Sequence, residues 1–140
     1  MSPVIERLAE LRSHLDHLAK LAPRVPGAEA LRTDMSLRND VLFSLFMASQ
    51  LVIDIAAELS ARSGRRFADY TGAIRNLELD RRFPAELVRR LEKIPGFRNV
   101  IVHEYVVLDL DLAVTALHDL EVLEKFVSLV AIAEAAPLAE

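Results

Sequence analysis

At 140 residues, 52% hydrophobic and 27% charged, the chain is long enough to bury a core and too apolar to be disordered. It contains no Cys and carries a net charge of −4, which excludes a disulfide framework, a thiolate metal centre and a general polyanion-binding surface. The N-terminus, Met1-Ser2-Pro3-Val4-Ile5-Glu6-Arg7, is charged from the outset and lacks the apolar run of a signal peptide, so a cytoplasmic location is expected.

The chain reads as helical from end to end, as one domain over residues 1–140. Ser2 is an N-cap and Pro3 suits the first position of a helix running to Leu21. Val4, Leu8, Leu11, Leu15 and Leu18 place one narrow apolar stripe on it. Pro23, Pro26 and Gly27 end it, and the segment Ala28 to Thr33 is ambiguous. A second, long helix is expected from Ser36 to Ser63, stopped by Gly64. Its middle (Val41, Leu42, Phe43, Leu45, Phe46, Met47, Leu51, Val52, Ile53, Ile55) is apolar on nearly every face. Such a helix is central to a bundle or lies at a subunit interface. Ser44, Ser49, Gln50, Asp54 and Glu58 interrupt it, which argues against a membrane span. Asp54 needs a partner there and reads as a satisfied structural carboxylate.

A shorter helix follows over Ala68 to Leu79, and another begins at Pro84 with Leu87, Val88, Leu91 and Ile94 on its apolar face. Pro95-Gly96 is expected to kink or break it. The last helix is capped by Asp109 or Asp111 and carries a seam of Ala113, Ala116, Leu120, Leu123, Val127 and Val130, with Leu117 and Phe126 beside it.

Chemistry concentrates between the last two of these helices. Arg98-Asn99-Val100-Ile101-Val102-His103-Glu104-Tyr105 gathers four polar side chains of scarce types, since the chain has two Tyr and four His. Arg-x4-His-x-Tyr arises by chance in roughly one such chain in two hundred. In a helix, Asn99 and His103 stack one turn apart, Arg98 reaches the same patch and Tyr105 lies at the far end of the rim. His transfers protons near neutral pH, Arg stabilises phosphorane-like charge, and Asn orients the His or a ribose oxygen. That set suits metal-free cleavage of RNA by its own 2′-hydroxyl. One His is thin for a reaction needing acid and base, and a two-fold dimer would supply the pair. The structural alternative pairs Arg98 with Glu104 or a helix end and buries His103 and Tyr105.

Other residues offer less. Fourteen of the 17 basic residues are Arg, in clusters such as Arg62, Arg65 and Arg66. They read as solvated helix ends or as a local phosphate-facing groove. His14, His17 and His118-Asp119 read as exposed, with too few neighbours for a metal. Tyr70 and Arg75 either border the cleft or, for Tyr70, pack half-buried. No metal, cofactor or Gly-rich phosphate loop is expected.

The stretch Arg98 to Tyr105 resembles the Arg-x4-His-x-Tyr signature of HepT toxins in the HEPN superfamily. Pro84 to Tyr105 is similar to that family's PxELxxRLxxxxGFRNxxVHEY run. Ser36 to Arg62, including Ile53-Asp54-Ile55-Ala56, resembles its long helix, and Phe67 to Leu79 its Tyr-containing short helix. The Asp109-Leu110-Asp111-Leu112 entry to the last helix also fits. The resemblance implies an all-α, up-and-down HEPN-like bundle of five to six helices that dimerises through its long helices. It implies a toxin with an endoribonuclease site of Arg98, Asn99 and His103 at the dimer cleft. It also implies an antitoxin of the minimal nucleotidyltransferase type, MNT, which silences the toxin by AMP transfer to Tyr105. The alternative is a non-catalytic helical partner that regulates a nucleotidyltransferase, and a third possibility is an adaptor that has kept the fold and lost the chemistry.

Overall fold

The computed structural model describes residues 2–103 and 107–135. Among these, eight α-helices and two short 3-10 turns account for the regular structure and no strand is present. The all-α expectation holds, with more helices than expected because two long segments are interrupted.

Helix α1 (Pro3–Leu21) starts as its sequence dictates, with the Ser2 hydroxyl accepting from the Val4 amide at 3.1 Å. Its stripe, Val4, Leu8, Leu11, Leu15 and Leu18, is buried throughout. The ambiguous segment resolves as a short helix α2 (Ala28–Arg32). Helix α3 (Met35–Arg62) opens on Asp34, whose carboxylate accepts from the Leu37 amide at 3.0 Å. It closes with Gly64 at φ 71, a left-handed conformation that glycine adopts at no steric cost. The Arg65 amide donates to the Ser60 carbonyl and the Gly64 amide to the Ala61 carbonyl, both at 3.0 Å, a Schellman closure that satisfies two end carbonyls.

α3 is the central element. It packs on α1, α2, α4 (Tyr70–Arg75), α6 (Ile94–His103) and α7 (Leu110–Leu117). By length and composition it is apolar enough to cross a membrane, but these neighbours bury most of it. Ser60 pins α4 to it by donating to the Ala73 carbonyl at 3.0 Å in a buried position. Asp69 caps α4 and a 3-10 turn (Asn76–Leu79) continues it.

Helix α5 (Ala85–Leu91) ends two residues before α6 begins, so the expected break falls just ahead of Pro95, which is buried in the first turn of α6. Pro is tolerated there because that turn has no intrahelical acceptor for its missing N–H. Arg98, Asn99 and His103 thus sit on a helix of their own.

The expected last helix is divided. α7 is capped by Asp109, whose side chain accepts from the Asp111 amide at 2.9 Å, and α8 (Glu121–Ala135) follows after a break at His118-Asp119. The break changes the phase of the seam. Ala113, Val127 and Val130 are buried as expected, but Leu117, Val122 and Phe126 take the core positions expected of Ala116, Leu120 and Leu123, which are only partly buried. Polar anchoring accounts for it. His118 Nε2 lies 2.7 Å from the Val25 carbonyl and Asp119 pairs with Arg90 at 2.7 Å, so both residues tie the corner to other elements.

Candidate functional site

The antiparallel pairing of α3 and α6 builds the site. Arg98 meets α3 at Gln50, while Ile101 and Val102 meet it nearer its start, around Asn39, Leu42, Phe43 and Phe46. Arg98 is half-buried and tightly held. Its Nη1 donates to Gln50 Oε1 at 2.7 Å, and its Nε and Nη2 both donate to Asn99 Oδ1, at 3.1 and 2.7 Å. The guanidinium carbon stands 5.6 Å from the centroid of the Tyr70 ring, within cation–π range. Three of its five N–H groups are thereby used, leaving two to meet an anion.

Gln50 is itself oriented. Its Nε2 donates to Asp54 Oδ1 at 2.9 Å, one turn along α3. The carboxylate expected to need a partner therefore has one and is only partly buried, at the back of a relay Asp54–Gln50–Arg98–Asn99. Sequence reasoning passed over Gln50. The available signal was a row of polar residues at four-residue steps, Gln50, Asp54 and Glu58, on a helix apolar over most of its surface.

Asn99 and His103 lie one turn apart on α6 and both are exposed. This overturns the alternative in which His103 is a buried, satisfied group. Among the described residues no hydrogen bond or ion pair engages its ring. Tyr105, the expected modification site, lies outside the described residues. Tyr70, 43% exposed, is half-buried and also borders the site through Arg98. Arg75 points elsewhere and pairs with Glu92 at 2.7 Å.

Between Arg98 and His103, the rim overlooks an apolar groove of about 320 Å³ lined by Asn39, Leu42, Phe43, Phe46, Ile101 and Val102. Phe43 is 59% exposed and Val102 49%. The N-terminal histidines are not free side chains of α1, as their spacing suggested. His14 is partly buried, with Nδ1 3.1 Å from Ser44 Oγ and its ring edge on Phe43, and His17 Nε2 lies 2.8 Å from Asp40. Among the described residues no group of three or more His, Asp or Glu side chains is placed to hold a metal ion.

Residues 5–130 match the family described as HepT-like, Ribonuclease HepT-like. The chain belongs to the HepT-like ribonuclease family. A protein of Archaeoglobus fulgidus named "Putative RNase" is 36% identical over 98 residues, covering 68% of this chain and 72% of that protein. Among solved structures, the fold is shared with the tri-AMPylated HEPN toxin of Shewanella oneidensis in complex with MNT antitoxin. The TM-score is 0.80 at 22% identity, covering 94% of this chain and 99% of that one. A toxin–antitoxin structure with AMP-PNP gives a TM-score of 0.81 at 20% identity, covering 94% and 98%.

Proposed function

We propose that this HepT-like protein is the toxin of a toxin–antitoxin pair and cleaves RNA without a metal, using Arg98, Asn99 and His103. The observation that carries this reading is the shared rim of α6. It presents an anion clamp already fixed by Gln50 and Asn99, and a proton-transfer group one turn beyond Asn99. In the reaction, His103 takes the proton of a ribose 2′-hydroxyl. O2′ attacks the adjacent phosphorus, the bond to the 5′-oxygen breaks and a general acid protonates that oxygen. The two free N–H groups of Arg98 meet the charge that builds on the phosphoryl oxygens. Products are a 2′,3′-cyclic phosphate and a 5′-hydroxyl.

The acid in this scheme is a second His103, supplied by another copy of the chain. The exposed Phe43 and Val102 beside the rim support a homodimer closing over this face, since an apolar patch at a site edge favours association. The partner that silences the toxin is an MNT-type nucleotidyltransferase, which transfers AMP to Tyr105. The added phosphodiester puts negative charge where RNA phosphate would bind. Resemblance in fold to an AMPylated HEPN toxin held by an MNT antitoxin supports this. The system is assigned to the cytoplasm.

The test is cleavage of RNA by the purified chain in chelator. A 2′,3′-cyclic phosphate product, lost on a substrate with a 2′-deoxyribose at the cut, is expected. If His103→Ala and Arg98→Ala both cut at the wild-type rate, the ribonuclease assignment fails. Absence of cleavage with intact AMP transfer to Tyr105 would favour a regulatory subunit of the nucleotidyltransferase instead.

A further inference from the structure

A second cavity, of about 350 Å³, lies on the other side of α6 from the groove. Leu45, Ile94, Phe97, Leu112, Val122 and Leu123 form its apolar wall, drawn from α3, α6, α7 and α8. Two cations, Arg90 and Lys93, line it together with Asp119. Arg90 pairs with Asp119 at 2.7 Å, both about half exposed, and no ion pair engages Lys93 among the described residues.

Ser49 distinguishes this cavity from an ordinary packing gap. It is 4% exposed and lines the cavity from the middle of α3. Its hydroxyl has no hydrogen-bond partner among the described residues, while no fully sealed side-chain oxygen or nitrogen there is unsatisfied. The hydroxyl therefore faces open space, and that space is this cavity. A serine at such a position is a poorer helix former than Ala and leaves a polar group to be satisfied.

An apolar cavity near the lower end of the size range of ligand sites, with one buried hydroxyl and net positive charge among its lining groups, selects its occupant by chemistry. We propose that it binds a small amphipathic monocarboxylate. Its apolar body lies against Leu45, Phe97, Val122 and Leu123. Its carboxylate is held by Lys93 and by Arg90, competing with Asp119, and Ser49 takes a polar contact inside. The site is separate from Arg98 and His103, and its occupancy is read by binding, so it stands or falls apart from RNA cleavage.

The experiment titrates the full-length, isotope-labelled protein with octanoate and, separately, 3-phenylpropionate, following backbone amide resonances. Saturable shifts are expected at Leu45, Ser49, Phe97 and Thr115, and the tighter acid shows whether an alkyl or an aryl body fits. The pair Arg90→Gln and Lys93→Gln, both on the surface, is expected to weaken binding about tenfold or more, as for a charge-assisted contact. Ser49→Leu is expected to fill the cavity and abolish binding, and the charge variants carry the test if that protein does not fold. Octanol is expected to bind much more weakly than octanoate. Absence of saturable shifts below the micelle-forming concentration, octanol binding as tightly as octanoate, or an affinity untouched by the charge variants would overturn the proposal.

Discussion

The two ends of the rim that runs from Arg98 to His103 on α6 are built differently. At Arg98 the chain does all the positioning itself: Gln50, Asn99 and Tyr70 hold one guanidinium from three sides, and Asp54 holds Gln50. At His103 it does none, and the ring stands exposed without a partner among the described residues. An electrostatic clamp is useful only if it is fixed before charge develops, so its rigidity belongs to the fold. A proton-transfer group needs an orienting neighbour and a matching acid or base. In the proposed reaction those come from substrate or from a second copy. The difference teaches that, in the proposed reaction, one chain would hold a finished clamp and only half of an acid–base pair.

Replacing the free end should have the largest effect. His103→Ala is expected to lower the rate of metal-free RNA cleavage by about 10²–10⁴-fold, the usual contribution of general acid–base catalysis. Its melting temperature should match the wild type, because the residue is exposed and no hydrogen bond, ion pair or ring contact among the described residues engages it. Arg98→Ala is expected to cost about 10²–10³-fold and to lower the melting temperature as well, because Gln50 and Asn99 lose their shared partner. Arg98→Lys should restore little of the activity, since an ammonium cannot reproduce the planar fork. Equal thermal stability for the alanine variants at both positions would remove the contrast between the two ends.

The share of this that the sequence carried follows the range of the interactions. Capping and periodicity act within a few residues, so α1 with its Ser2 cap, the bounds of α3 and the break before Pro95 were all legible. Arg98, Asn99 and His103 were legible as a rim because helical spacing alone places them together. The role of Gln50 was not, because its contact with Arg98 spans 48 residues and depends on how α3 and α6 pair. The split of the last helix was missed for the same reason. His118 and Asp119 look like ordinary surface residues until Val25 and Arg90 are seen beside them. Tyr70 was undervalued because a phenol near an Arg in space leaves no trace in local spacing.

The unfinished end also predicts what a second copy must do. Phe43→Asp, a charge placed on an exposed ring of the apolar groove, is expected to weaken self-association by tenfold or more, as loss of an aromatic anchor does. Sedimentation equilibrium measures it, and cleavage should fall in parallel at low protein concentration. Retained dimers with full activity would place the dimer contact elsewhere. A smaller effect is expected at the finished end. Gln50→Ala leaves Arg98 bound to Asn99 and should reduce cleavage by about tenfold with KM little changed, because one hydrogen bond to a charged group contributes about 1.5–3 kcal/mol. A double-mutant cycle with Asp54→Ala should show the two substitutions to be strongly non-additive, as expected of neighbours in one network.

The smallest expected effect comes from a titratable group that the chain orients without help, as it does Arg98 and not His103. Asp80 accepts from the Arg82 amide at 2.9 Å and from its Nε and Nη2 at 3.2 and 3.3 Å. Partial burial pushes its carboxyl upward, but the Arg82 amide and guanidinium, with the charge of Arg65, outweigh that and hold its pKa below the ordinary 3.8. A carboxyl with a depressed folded pKa binds fewer protons in the native than in the unfolded state. Its contribution is therefore complete above 3.8 and is lost as the pH falls through the lower folded value. Asp80→Asn should thus be less stable than wild type by under about 1 kcal/mol at neutral pH, the scale of an exposed pair. Urea unfolding at pH 7 and again well below 3.8 tests this, with the two proteins converging at the acid end. A difference that persists there would mean that Asp80 acts through its shape and hydrogen bonds and not its charge, and that a carboxylate held by three contacts here is fixed without the electrostatic gain expected of Arg98.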